Sequence, residues 1–153
     1  MFRRLSLLFA LALAAAGLPV ANAHAKDAPV YTGSFSNLAV GGFDAVGYFT
    51  EGKPVKGDKS FSLQHDGAQW HFASAANRDR FAAAPQHYAP QYGGYCAWAV
   101  AQGYTASGNP QNWKVVGDKL YLNYDSEVQK KWEQNIPGFI AKANQNWPAV
   151  LGQ

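Results

Sequence analysis

The stretch YGGYCAWAV, residues 92–100, holds the only cysteine in the chain. A helix beginning near residue 95 would place Cys96 at its N-terminus, where free N–H groups favour a thiolate and lower the thiol pKa. Gly93 and Gly94 allow close backbone approach and can shape an anion nest. Tyr92, Tyr95 and Trp98 could wall a small pocket around the sulfur. A thiol in this setting suits a metal ligand or a redox nucleophile. The bland alternative is a buried cysteine that only packs.

Partners for that thiol are few. His87 lies nine residues before Cys96 in an aromatic loop and could approach it. Asp44 is a lone acid in an apolar segment, where it either caps a turn or serves a site. A blue-copper centre asks for two histidines, a cysteine and a weak axial ligand, usually Met. The only methionine is Met1, so the axial position would fall to Gln or a backbone oxygen. Cys and His pairs at zinc-finger spacing are absent. His24 could chelate copper as a new N-terminal residue, or lie in a leader with no role. No Cys–His hydrolase arrangement, phosphate loop or paired catalytic carboxylate is visible.

The ends of the chain place the molecule. Arg3 and Arg4, an apolar run from Leu5 to Val20 and the small residues Ala21-Asn22-Ala23 read as a secretory signal over 1–23. The run is short for a bilayer span, which needs roughly 20 residues. The expected product is periplasmic or secreted, with no stable membrane insertion after cleavage. Of 13 basic residues, Arg3 and Arg4 leave with the signal, so 11 face 10 acidic ones and the net charge falls from +3 to +1. These charges are scattered, which excludes nucleic acid as an electrostatic partner. About 130 residues remain, one domain with a workable core.

The elements that must position Cys96 follow from pattern. Residues 24–37 are small and polar and read as a flexible leader, ahead of one domain over 38–151. GGFDAVGYF, 41–49, reads as a loop running into a short strand. SFSLQH, Asp66-Gly67 and AQWHFA form a hairpin. Its register pairs His65 with Ala68, Leu63 with Trp70 and Phe61 with Phe72, and it sends His65 and His71 to opposite faces. His71 falls on the polar face, as a solvated or second-layer residue. Ser74 caps a helix that Pro85 ends. CAWAVAQG, 96–103, is short and apolar and reads as helix or strand, with helix favoured; TASGNPQN favours loop, and WKVV-Gly117-Asp118-KLYLNY is a second hairpin. Asp125 or Ser126 starts the next helix, with Ser126 and Gln129 resembling a capping box. Pro137-Gly138 divides the C-terminal helical pattern. No internal repeat stands out beyond the two hairpins. The expected fold is α+β: two β-hairpins forming one small antiparallel sheet, packed by one central helix and the C-terminal helices. Trp70, Phe72, Phe81, Trp98, Leu120, Leu122, Trp132, Phe139 and Ile140 are the expected core.

GGFDAVGYF, WHFASAANRDRF, YAPQYGGYCAWAV and KLYLNYDSEVQKKWEQNIPGFIAKANQNWP together resemble the secreted YHS-domain proteins of bacteria, over about residues 38–151. The resemblance implies kinship with small modules that bind metal through cysteines. This chain has Ala73 where such modules carry one cysteine, and FDAVGY lacks another. The resemblance implies that Cys96 is the reactive position, set by Gly93, Gly94 and Tyr95, with Asp44 as a partner. Three functions then follow as expectations. The first is handling of copper or another transition metal through Cys96, His87 and Asp44. The second is thiol redox chemistry at Cys96, which would need a partner thiol protein for resolution. The third is a small-ligand module with an inert Cys96.

Overall fold

The computed structural model describes residues 27–153. None of the described helices is long and apolar enough to cross a membrane. The 1–23 signal and His24 lie outside the described residues.

Helices α1 (Gly47–Thr50), α2 (Ala75–Ala83) and α3 (Pro85–Tyr88) surround a hairpin of β1 (Asp58–His65) and β2 (Ala68–Phe72). Helices α4 (Ala97–Gln102), α5 (Ser126–Glu133) and α6 (Ile136–Asn146) surround a hairpin of β3 (Asn109–Val116) and β4 (Lys119–Asn123). The α+β class is as expected. The hairpins do not join into one sheet, however, but stand as two antiparallel two-stranded sheets.

Local chemistry explains each piece. Asp66 and Gly67 both have positive φ (48° and 77°), as do Gly117 and Asp118 (56° and 62°). Two consecutive left-handed residues give the tight turn whose twist matches paired strands. The first register pairs His65 with Ala68 and Leu63 with Trp70. Phe61 does not face Phe72: a bulge intervenes and Asp58 takes that place. The second hairpin bulges alike, pairing Asn109 with Asn123 before Trp113 with Leu122, so 109–112 is strand rather than loop. Both bulges begin with a side-chain turn, Asp58 Oδ1 accepting from Ser60 N at 2.7 Å and Asn109 Oδ1 from Gln111 N at 2.9 Å.

Ser74 caps α2 by accepting from Asn77 N at 3.1 Å. Asp125 caps α5 by accepting from Val128 N at 2.8 Å. Each such cap stabilises by about 1 kcal/mol. The Ser126–Gln129 capping box does not form, because Gln129 donates instead to the Trp113 carbonyl and to Glu133. The break between α5 and α6 falls at Gln134–Asn135, with Pro137 in the first turn of α6. Residues 41–49 hold no strand: a left-handed turn leads into α1.

These coincidences are a duplication, which overturns the expectation of no internal repeat. β1 and β3 begin at 58 and 109, β2 and β4 at 68 and 119, α3 and α6 at 85 and 136, a constant offset of 51. The N-terminal turns match at an offset of 52. Val40, Gly41 and Gly42 have φ of 53°, 58° and 82°; Tyr92, Gly93 and Gly94 have 57°, 60° and 84°. Three successive left-handed residues are costly without glycine, so the Gly-Gly pair occurs in both halves. Phe43 then bridges Lys56, and Tyr95 bridges Ser107. Each half has its own core, around Trp70, Phe72 and Phe81 in the first and around Tyr121 and Trp132 in the second, with Leu120 and Leu122 packing into the first. Trp98, Phe139 and Ile140 are only half-buried.

The expected flexible leader is docked from Asp27 to Tyr31. Tyr31 N donates to the Gly93 carbonyl at 2.9 Å, Tyr95 Oη to the Ala28 carbonyl at 2.9 Å, and Val30 is buried in the first core. A Cβ at Gly93 would collide with the Pro29 carbonyl, so this glycine answers both to its φ and to that approach.

Candidate functional site

The duplication aligns Asp44 with Cys96, each two residues after the Gly-Gly pair. Asp44 is fully buried. Its Oδ1 accepts from Val46 N at 2.8 Å and Gly47 N at 3.3 Å. Its Oδ2 accepts from Ala73 N at 2.9 Å and Asn77 Nδ2 at 2.8 Å. Four donors thus tie the start of α1, the end of β2 and the body of α2 to one carboxylate. Asp44 therefore caps and clamps, and its acceptor capacity is spent within the fold.

Cys96 stands at the N-cap position of α4, the helix start the sequence predicts, though its side chain makes no capping hydrogen bond. The backbone N–H groups of Trp98, Ala99 and Tyr124, the counterparts of Val46, Gly47 and Ala73, lie close enough to Sγ to pull its pKa down, but none makes a capping hydrogen bond to it and Trp98 N donates to Asn123 instead. The fourth donor differs. Val128 stands where Asn77 stands in the first half, and Asn123 stands where Phe72 does. Asn123 is fully buried beside the sulfur. Its Oδ1 accepts from Trp98 N at 3.2 Å and from the Cys96 thiol at 3.6 Å, while its Nδ2 has no partner.

The thiol pKa moves opposite to the expected direction. Burial pushes it up, and this outweighs the three N–H groups that pull it down. Helix α4 has only six residues, so its dipole is short, whereas Cys96 is 1% exposed.

The sulfur lines a cleft of about 220 Å³. Trp98 and Ala99 of α4 form one side, Tyr104 and Ala106 the loop that follows, and Tyr124 and Val128 the approach to α5. Tyr104 and Tyr124 are 48% and 53% exposed at its rim. Lys131 Nζ sits 5.8 Å from the Trp98 ring centroid on the outside.

Of the expected pocket residues, only Trp98 shares this cleft with Cys96. Tyr92 and Gly93 line a separate cavity with Pro29, Pro90 and Trp147. Gly94 is buried in the turn, and the Tyr95 hydroxyl is committed to Ala28. His87 does not approach Cys96: its Nδ1 lies 3.5 Å from Asp118 Oδ2, against Phe49 and Tyr88, in a groove with Tyr48 and Trp113. His65 sits at the turn, 3.2 Å from Asp66. His71 is half-buried, with Nε2 sealed and unpartnered, rather than solvated.

Cys96, His87 and Asp44 thus occupy three different settings. Among the described residues no three His, Cys, Asp or Glu side chains group as metal ligands. A transition metal at Cys96 would meet a protonated thiol, one amide oxygen and aromatic carbon. That donor set does not fit a bound copper ion. The sequence reading missed Asn123, Tyr104, Ala106, Tyr124 and Val128. The available signal was the parallel between VGGFDAV and YGGYCAW, which places a cysteine where the first half has a buried, fully bonded acid.

The family model described as YHS domain matches residues 46–92. The chain therefore contains a YHS-domain segment, running from α1 through the first hairpin to Tyr92, while Cys96 lies beyond it. No curated protein and no solved structure matches.

Proposed function

We propose that this chain is an exported YHS-domain protein whose working group is the Cys96 thiol, meeting a small oxidant or electrophile in the aromatic cleft. The position of Sγ carries this reading. It is the one described cysteine sulfur, it lines an apolar cleft with an exposed aromatic rim, and it sits opposite three backbone N–H groups. The N–H groups steady negative charge that develops on sulfur. The apolar walls favour small uncharged reagents over charged ones. The chain has a single cysteine, so reduction of a sulfenate formed here would need a thiol from a partner.

Metal handling draws its support from the YHS match at family level, not from the donors around Cys96. A second reading has its own observation: the exposed rings of Tyr104 and Tyr124 suit noncovalent capture of a small planar apolar ligand, with Cys96 as part of the wall.

The test is thiol titration of the folded protein with a small uncharged alkylating agent, across pH, with metal content measured on the same sample and on Cys96→Ala. One thiol per chain should react. Its rate should climb with pH through and beyond about 8.5, because the raised pKa keeps thiolate scarce at neutrality. A thiol that stays silent until the protein unfolds would leave the noncovalent reading. Stoichiometric copper that disappears in Cys96→Ala would overturn the proposal in favour of metal handling.

A further inference from the structure

The two halves of the molecule build related cradles of N–H donors, differing in the fourth, and only the first is filled by an anion. Around Asp44, three backbone N–H groups and one side-chain amide satisfy both carboxylate oxygens. Around Cys96 the equivalent N–H groups are those of Trp98, Ala99 and Tyr124; Trp98 N is held by Asn123 Oδ1 at 3.2 Å, and none of the three makes a capping bond to the sulfur. A side-chain amide is in place as well, that of Asn123, and its Nδ2 is buried with nothing to donate to. A thiol offers one weak acceptor to this set of donors. An unpartnered buried amide is costly, and the first half fills the same strand position with Phe72. The second half thus carries a donor that the reduced cysteine does not use.

We propose that Cys96 is a peroxide-modified residue: two oxygen transfers convert its thiol to a sulfinate, which the second repeat holds as the first repeat holds the Asp44 carboxylate. This rests on the reading of Cys96 as a thiol that reacts in the cleft. In the first step the sulfur attacks one oxygen of a peroxide and the O–O bond breaks. Thiol and hydrogen peroxide give sulfenic acid and water. In the second step the sulfenate attacks another peroxide, giving sulfinate and a second water. Each step oxidises sulfur by two electrons and reduces one peroxide.

A sulfinate matches an aspartate side chain atom for atom. Both carry one branching atom on Cβ and two anionic oxygens, though the sulfur is pyramidal and its bonds are longer. Trp98 N would turn from Asn123 Oδ1 to the new anion, as Val46 N serves Asp44. The Asn123 amide, released from that bond, rotates to present Nδ2. The cleft of about 220 Å³ beside Sγ admits the peroxide and the two added oxygens. The same cradle would stabilise the sulfinate against further change, so the modification is a stored state and not a passing intermediate.

The test has two arms on the full chain. In the first, folded protein is treated with hydrogen peroxide and analysed by intact mass and peptide mapping. Cys96 should gain about 32 Da, and thiol reductants should not reverse it. In the second, Cys96→Asp supplies the carboxylate isostere directly. It should melt at or above the temperature of Cys96→Ala, and adding Asn123→Ala should lower the melting temperature of Cys96→Asp more than that of the unmodified chain. A Cys96→Asp protein that melts well below Cys96→Ala, or fails to fold, overturns the cradle. Oxidation that stops at one oxygen or at a Cys96–Cys96 dimer overturns the sulfinate and leaves the reactive thiol standing. A thiol inert to both peroxide and alkylation overturns both.

Discussion

Asp44→Ala should destabilise the fold by about 3–5 kcal/mol, enough to shift a urea midpoint by more than 1 M at typical slopes. The side chain removed is fully buried and accepts from four N–H donors. Gly47 N keeps its second acceptor, the Asp44 carbonyl at 3.1 Å. Val46 N, Ala73 N and the Asn77 amide lose the acceptor that satisfies them. The damage spreads because these donors belong to α1, the β2 exit and α2. Asp44→Asn is a sharper probe. It keeps one acceptor oxygen and points an NH2 at two donors, so it should also destabilise strongly despite equal size. Equilibrium unfolding in urea reads both variants. An Asp44→Asn protein as stable as the parent would show that the two oxygens are not both bound.

Trp132→Ala should cost about 3–5 kcal/mol by the combined loss of transfer energy and the cavity left behind. Trp132 is fully buried, packs on Tyr121 with ring centroids 5.4 Å apart, and anchors α5, whose Val128 walls the cleft. Trp132→Phe should cost far less. Phe81 fills the equivalent place in the first half, and the Trp132 Nε1 lost on substitution is buried without a partner. The order of unfolding midpoints, parent near Trp132→Phe and Trp132→Ala far below, separates loss of volume from loss of the indole. Equal damage from both would mean that the indole itself, and not aromatic bulk, holds the second core.

Much of this architecture was legible before any coordinates. Asp66-Gly67 and Gly117-Asp118 announced both hairpins because consecutive positive-φ residues select a small set of types. Ser74, Asp125 and Pro85 marked helix ends by the same local logic. Misreadings arose where long-range packing decides. Phe61 and Phe72 alternate correctly for pairing, but the Asp58 side chain caps its own turn and forces a bulge. Residues 27–31 read as leader because nothing in PVY marks a segment whose hydrogen bonds come from Gly93 and Leu151. The site itself was half-legible. Cys96 at a helix start followed from the glycines and the apolar run. The direction of its pKa did not, since burial is set by residues far along the chain. Asp44 and Cys96 stood in plain parallel, VGGFDAV beside YGGYCAW, yet the shared cradle becomes visible only once Ala73 and Tyr124 fold back onto them. Asn123 gave no sign in sequence, being one polar residue at the end of an apolar strand.

The docked N-terminal segment has a topological consequence. Asp27 N donates to the Leu151 carbonyl at 2.9 Å, so the described polypeptide closes on itself nearly as a ring. A short linker could join these neighbours while new termini open in the exposed loop at Gly52, where a Cβ would meet nothing. Such a circular permutant would move residues 27–51 to follow 151 without breaking either hairpin, so that Asp44 and α1 would complete the first repeat from the far end of the chain. The first module would then be assembled from both ends of the permuted chain, and the Cys96 cleft lies in the module that such a cut leaves whole.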